Sequence, residues 1–207
     1  MKAIIFCGGK IEDYSYIRKE DFKESLIICA DGGLFHTEKI KIKPDVVVGD
    51  NDSWPYEYPK DITVINCPAE KDYTDTKRCI DYAIEKGFTE ILIYGGLGGR
   101  LDHEFSNYCL LSYALERGIK VILKDKHNEI WMENKPFEIK KKEKKYISFF
   151  PYGGVVKGFS VKGLKYEAEN MTLNVNSTVT TSNEFKEDIA EVSFSEGTLL
   201  VMVCDDI

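Results

Sequence analysis

The chain has 207 residues, of which 43% are hydrophobic and 12% aromatic, and it carries a formal net charge of -7. That is enough apolar material for one or two packed cores and excludes a disordered tail, while the acidic balance argues against an extended nucleic-acid surface. No apolar run approaches the ~18 residues of a membrane span, and the opening MKAIIFCGG is too short for a signal peptide, so a soluble cytoplasmic protein with no membrane partner is expected.

Up to about residue 125, strand-like and helix-like patterns alternate. The strand candidates are Ala3 to Cys7, Leu26 to Ala30, Val46 to Gly49, Thr63 to Asn66, Ile91 to Tyr94 and Lys120 to Leu123. Between them, Thr74 to Lys86 carries a helical stripe of Cys79, Ile80, Ala83 and Ile84, and Asp102 to Arg117 one of Phe105, Cys109, Leu110, Tyr113 and Ala114. Gly87 and Gly118 fall where C-terminal caps belong. Near-continuous apolar strands separated by helices predict a parallel, helix-covered sheet for a first domain, residues 1–127. A polar junction, Asp125 to Lys135, is closed by Pro136. Beyond it the helical period disappears, and the runs Tyr146 to Phe150, Val155 to Val161, Met171 to Val175, Ile189 to Phe194 and Thr198 to Val203 predict an antiparallel sandwich or barrel within residues 128–207. The basic run from Lys140 to Lys145 reads as a solvated hairpin turn. Six cysteines, at 7, 29, 67, 79, 109 and 204, form no C-x-x-C pair and read as reduced thiols.

The chemistry gathers after the first-domain strands. Asp31 in CADGG, Asp50 and Asp52 in GDNDS, and Asp75 in KDYTDT each follow a strand-like run, and ligands of open α/β sheets bind outside the carboxyl ends of the strands. Carboxylates crowded there repel one another unless a hard cation intervenes, which points to Mg²⁺ and a phosphate ligand. Any one of these aspartates could instead be a cap or turn residue. Gly32 and Gly33 could let backbone amides approach a phosphate, and the loop Gly95-Gly96-Leu97-Gly98-Gly99-Arg100-Leu101-Asp102-His103 does so with more glycine and a cation. It matches neither a Walker A loop nor the dinucleotide fingerprint, and Asp102 also reads as a helix N-cap. Arg100 and Lys71 are the natural phosphate partners. Asp72 or Tyr73 could cap the helix that begins near Thr74, with Asp75 in its first turn. In the second domain, Gly163-Leu164-Lys165-Tyr166 and Thr181-Ser182-Asn183-Glu184-Phe185 read as hairpin turns or as a hold on a flat heteroaromatic ring.

Taken in order, CADGG, PDVVVGDNDS, KDYTDT, GGLGGRLDH, GLKY and SNEF closely resemble the bacterial thiamine pyrophosphokinase (thiamine diphosphokinase) family, over a span from about Cys29 to Phe185. The resemblance implies an N-terminal Rossmann-like sheet with helices on both faces, a C-terminal antiparallel β-sandwich, and a homodimer with the thiamine site between subunits. It implies ATP as co-substrate and Mg²⁺ as cofactor, with thiamine diphosphate and AMP as products. Asp31, Asp50, Asp52 and Asp75 would form the catalytic site, with Asp50, Asp52 and Asp75 on the metal. Gly32, Lys71, Asp72, Thr74, Gly98, Arg100, Asp102 and His103 would serve the nucleotide, and Ser182, Asn183 and Phe185 the thiamine. The chain departs from the family pattern at Asn51, where an apolar or aromatic residue is commoner, and at Leu34 and Ala168.

Overall fold

In the computed structural model, which describes residues 1–50, 58, 60–68, 70 and 72–206, the chain divides into two units, Met1–Lys126 and His127–Ile207. Among the described residues, no helix is long and apolar enough to cross a membrane.

The first unit holds β1 (Lys2–Phe6), β2 (Leu26–Ala30), β3 (Val46–Gly49), β4 (Thr63–Asn66), β5 (Glu90–Tyr94) and β6 (Lys120–Lys124). All pair in parallel, in the order β6-β5-β1-β2-β3-β4. Among the described residues, three α-helices accompany them, α1 (Leu34–Lys39), α2 (Asp75–Glu85) and α3 (Leu101–Leu115). Alternation along each strand sends Ile4, Phe6, Ile27, Cys29, Val47, Leu92 and Tyr94 into one core with Leu34 of α1. The intervening Ala3, Ile5, Ile28, Val46, Val48, Ile91 and Ile93 are equally buried on the other face, where Asn107 of α3 packs beside Ile93 and Leu123 at Gly96. Helices thus cover both faces, and this is why β1, β2 and β3 read as continuous apolar runs. The chain moves outward from β1 in one direction through β2 to β4 and in the other through β5 to β6, so a topological switch point lies between β1 and β5.

The inner face of α3 differs from the expected stripe. Asn107, Leu110, Leu111 and Ala114 are buried, whereas Phe105 is 63% exposed and Cys109 is exposed. The polar Asn107 displaces the apparent stripe, because its amide is spent on a backbone carbonyl beneath the helix. Gly87 and Gly118 do follow α2 and α3 with φ of 82° and 74°, as left-handed C-terminal residues require.

The second unit is two antiparallel sheets. One has the order β12-β9-β14-β7, from β7 (Asn128–Glu133), β9 (Tyr146–Pro151), β12 (Asn183–Glu184) and β14 (Leu199–Cys204). The other has the order β11-β10-β13-β8, from β8 (Phe137–Lys140), β10 (Val156–Lys162), β11 (Ala168–Leu173) and β13 (Ile189–Ser193). Their inner faces meet in an apolar layer marked by Phe149 and Phe159, ring centroids 5.4 Å apart. The expected junction is wrong in part: residues 128–133 form β7, with Ile130, Trp131 and Met132 buried against β14. Polar residues on each side of that triplet disguise a strand whose partner lies some seventy residues on. The basic run from Lys140 to Lys145 is not a hairpin turn either, since β8 pairs with β13 and β9 with β14 and β12. It passes from one sheet to the other. The strand expected at Met171 to Val175 begins and ends earlier, at Ala168 and Leu173, leaving Val175 69% exposed.

One close contact fixes where β2 turns into α1. A Cβ on Gly33 would sit 1.9 Å from the Phe6 carbonyl oxygen. Gly33 has ordinary right-handed dihedrals, φ -58° and ψ -20°, a setting in which alanine normally stabilises by about 0.4–1 kcal/mol. Here the clash with backbone wins. Gly33→Ala is expected to lower stability by about 1–3 kcal/mol in urea unfolding monitored by circular dichroism, and an unchanged or higher midpoint would refute the packing described.

Candidate active site

A cleft of about 590 Å³ opens at the carboxyl ends of β1, β2, β3 and β5, at the switch point. Its walls are two glycine turns. One is Gly8-Gly9-Lys10 after β1, and the other runs from Gly95 through Arg100 after β5. The Gly9 N–H donates to the Gly95 carbonyl at 3.0 Å, and a Cβ on Gly9 would lie 2.3 Å from that same oxygen. Only glycine permits this approach of backbone to backbone.

Acidic groups form the rim. Asp31, Asp50 and Asp75 all line the cleft, each half-buried. Asp31 follows β2 with a left-handed φ of 48°. Asp50 follows β3, and Asp75 opens α2 behind the N-cap Thr74, whose hydroxyl accepts from the Lys77 N–H at 3.2 Å. Thr74 is therefore the cap, rather than Asp72 or Tyr73. Asp72 is exposed and outside the cleft lining, while Tyr73 and Thr74 lie in it. Burial first, then the charges of Asp31 and Asp50, hold the Tyr58 phenol above its ordinary pKa. Asp52 and Lys71, like Asn51, lie outside the described residues.

The β5 turn is braced from α3. Asn107 Nδ2 donates to the Gly96 carbonyl at 2.8 Å, and the Gly98 N–H donates to Glu104 Oε2 at 3.0 Å. The Gly98 amide thus serves the loop's own geometry, and neither Gly98 nor Asp102 belongs to the lining formed by Gly95, Gly96, Leu97, Gly99, Arg100 and His103. Arg100, not Asp102, is the N-cap residue of α3. Arg100 and Asp102 form a two-pronged ion pair, Nε to Oδ1 at 3.1 Å and Nη2 to Oδ2 at 2.7 Å. The pair is exposed, so solvent screens it and a phosphate can compete for the guanidinium. Gly32 packs against Gly8, each placing its missing Cβ about van der Waals distance from the other's Cα.

Beneath the cleft lies Cys7. Burial pushes its thiol up to about 11, offset partly by the hydrogen bond with Thr76 Oγ at 3.3 Å, so it is a neutral part of the floor. Among the described residues, no three His, Cys, Asp or Glu side chains gather closely enough to hold a metal ion. Of the expected ligands, Asp50 and Asp75 are on the cleft wall. These hard oxygen donors suit Mg²⁺, which needs only one or two carboxylates besides substrate phosphates and water.

In the second unit, Ser182 is exposed with φ of 58°, and Asn183 is buried in β12. Asn183 Oδ1 accepts from the Tyr166 N–H at 3.0 Å, and Nδ2 donates to the Tyr166 carbonyl at 2.7 Å. Both ends of its amide are thus committed to holding the Leu164–Tyr166 turn, which leaves Tyr166 62% exposed. Phe185 bridges to Leu164 on the same turn. The cleft residues that sequence reasoning missed are Gly8, Gly9, Lys10, Cys7, Thr76, Glu104 and Asn107. The signal for the first three was present, since Gly8-Gly9 follows an apolar strand as Gly32-Gly33 does.

Residues 18–123 match the family model of the thiamin pyrophosphokinase catalytic domain, and residues 136–199 that of the thiamin pyrophosphokinase vitamin B1 binding domain. The chain belongs to the thiamin pyrophosphokinase family. It is 37% identical over 140 residues to thiamine pyrophosphokinase of Bacillus subtilis, a stretch covering 67% of this chain and 65% of that protein. It is 30% identical over 199 residues to thiamine pyrophosphokinase 2 of Arabidopsis thaliana, covering 81% and 73%. A crystal structure of the Bacillus subtilis enzyme superposes with a TM-score of 0.91 at 30% identity, over 100% of both chains. Thiamine pyrophosphokinases are enzymes that transfer pyrophosphate from ATP to thiamine, producing thiamine diphosphate.

The Arg100–Asp102 pair holds the Asp102 carboxyl at about 2, against an ordinary 3.8, chiefly through the hydrogen bond from Arg100. With its folded-state pKa depressed, Asp102 stays ionised as pH falls past the usual carboxylate range and protonates only near about 2. Carboxyl-carbon NMR titration is expected to show this, and Arg100→Ala to return the midpoint toward 3.8. An unshifted midpoint in the variant would show that the pair does not form in solution.

Proposed function

We propose that this chain carries out the reaction of its family itself, at the cleft between the two glycine turns, converting ATP and thiamine to AMP and thiamine diphosphate. The observation that carries this reading is the convergence of Asp31, Asp50 and Asp75 on one wall of a cleft whose other walls are glycine backbone and Arg100. Backbone amides and a guanidinium suit a polyphosphate, and carboxylates suit the cationic thiazolium partner.

The primary hydroxyl of thiamine attacks the β-phosphorus of ATP in line. A new O–P bond forms, the bond from the β-phosphorus to the oxygen bridging it to the α-phosphorus breaks, and AMP departs with that oxygen. Asp75 orients the hydroxyl or accepts its proton, with Asp31 as the second candidate. Arg100 exchanges Asp102 for a nucleotide phosphate, and Lys71 would serve the transferred group, with Asp72, exposed and outside the cleft lining, contributing only from beyond that lining. Thr74 and His103, both in the lining, border the nucleotide, while Gly32 and Gly98 act through the turns they belong to. Asp50, Asp52 and Asp75 would hold Mg²⁺, which when bound neutralises charge developing on the phosphates. Most of the rate comes from holding the hydroxyl and phosphorus in line and presenting fixed donors to the moving charge. Ser182, Asn183 and Phe185 serve thiamine; for Asn183 the contribution runs through the Tyr166 turn that its amide holds.

The same reading includes a homodimer with the thiamine site between subunits and a cytoplasmic location. Leu101 and Phe105, 81% and 63% exposed on α3, give that helix an apolar face that a second copy would cover at lower cost than water.

The deciding experiment measures AMP release by the purified protein from ATP and Mg²⁺, with and without thiamine, and identifies the second product by mass spectrometry. Thiamine-dependent AMP and thiamine diphosphate are expected. Nucleotide turnover without thiamine would instead indicate another Mg²⁺-dependent transferase, and binding without turnover a sensor. Asp50→Asn is expected to lower kcat/KM by about 10²-fold or more while leaving the thermal melt unchanged. Near-normal activity in the folded variant would remove Asp50 from the site.

A further inference from the structure

The two glycine walls of the cleft are braced differently. The β5 turn is held by Asn107 and Glu104 of the helix it leads into. The β1 turn Gly8-Gly9-Lys10 is instead held by a side chain distant in sequence. His36, on α1 and only 7% exposed, has its Nε2 2.8 Å from the Gly9 carbonyl oxygen and its Nδ1 2.7 Å from the Tyr14 hydroxyl.

Chemistry assigns the protons. A carbonyl only accepts, so Nε2 carries hydrogen and donates to Gly9. Burial depresses the His36 pKa, so the ring is neutral and Nδ1 accepts from the Tyr14 O–H. Both ring nitrogens are then satisfied, and the ring is enclosed by Phe6 and Tyr14, centroids at 6.5 Å and 5.8 Å.

We propose that His36 is a positioning residue for the nucleotide, setting the β1 glycine wall through the Gly9 carbonyl. The inference rests on the ATP reading of the cleft given above. Two successive glycines have no side chain to choose among turn conformations, so the direction of the Gly9 carbonyl has to be set from outside. Because a trans peptide is planar, turning that carbonyl toward His36 turns the Lys10 N–H to the opposite side. A separate bond, from the Gly9 N–H to the Gly95 carbonyl, ties this turn to the opposite wall, so a shift of the Gly9 backbone alters the separation of the two walls. A polyphosphate senses that separation; a ligand held by the carboxylate rim does not.

Steady-state kinetics on wild type, His36→Leu, His36→Gln and Tyr14→Phe test this, with ATP and thiamine varied in turn. In His36→Leu the KM for ATP is expected to rise about tenfold while that for thiamine changes less than about twofold. His36→Gln, which retains a donor for Gly9, is expected to restore the ATP KM to within about threefold of wild type. A folded His36→Leu with unchanged ATP KM, with both KM values rising together, or without rescue by glutamine overturns the proposal. Should His36→Leu fail to fold, Tyr14→Phe decides: a selective rise of about threefold in ATP KM supports it, and wild-type behaviour overturns it. Wild-type protein that binds ATP but makes no thiamine-dependent AMP would sink the functional reading alone. Calorimetric ATP affinity then becomes the measure, and a Kd equal in wild type and His36→Gln but weaker in His36→Leu still supports the positioning role. Equal affinity in all variants, or no ATP binding by wild type, overturns it.

Discussion

The near contact of backbone with backbone at the end of β1 is the constraint on which the site depends. Gly9 reaches Gly95 across the switch point, a Cβ on Gly95 would lie 2.4 Å from the Cys7 carbonyl, and one on Gly33 would lie 1.9 Å from that of Phe6. Strand ends this close leave no room for side chains, so the cleft is walled by peptide groups and floored by a neutral thiol. The charged groups are displaced to the rim, where Asp31, Asp50 and Asp75 stand on the β2, β3 and α2 side and Arg100 at the other end of the lining. The rim therefore carries carboxylates on the β2 and β3 side and, on the β5 side, Arg100 in its pair with Asp102 beside Glu104.

Glycine turns gain close approach at the expense of conformational definition, and polar side chains restore it. Asn107 takes the Gly96 carbonyl, Glu104 the Gly98 amide and His36 the Gly9 carbonyl. In the second unit Asn183 does the same for Tyr166 with both ends of its amide. A buried amide or imidazole is costly unless every polar atom is matched, and Asn183 and His36 are matched at both ends. Such residues resist exchange for apolar ones of equal size, because the carbonyl they serve would then be buried without a donor.

This pattern also explains what could be read from the chain beforehand. Val46 to Gly49 and Leu26 to Ala30 announce themselves because burial on both faces demands apolar residues at every position. Asp31 and Asp50 were legible because each directly follows such a run, and a strand's carboxyl end is where ligands lie in this class of sheet. The face of α3 was not legible, since one of its four buried positions is the polar Asn107 and the exposed Phe105 and Cys109 complete a plausible but false stripe. β7 was hidden for a related reason: three buried residues between polar flanks carry too little periodicity, and β14 supplies the rest. His36 reads from the chain as no more than a structural or surface histidine. Its place beside the site exists only once Gly9 and Tyr14, more than twenty residues before it, meet around one ring.

Asp31 shows how strain and chemistry meet in a single residue. Its φ of 48° lies in the left-handed region, where a side chain costs on the order of 1–3 kcal/mol unless its surroundings fix it and where glycine would sit freely. Aspartate is among the few residues that tolerate this region, and its neighbours are arranged to accommodate it. Gly32 and Gly33 continue the turn, and Gly49 lets β3 pass so near that a Cβ there would meet the Asp31 Cα at 3.2 Å. Glycine at position 31 would relieve the backbone and lose only the carboxylate. A protein that keeps the strained carboxylate keeps a charge in the cleft it shares with Asp50 and Asp75, the charge that the proposed reaction would use.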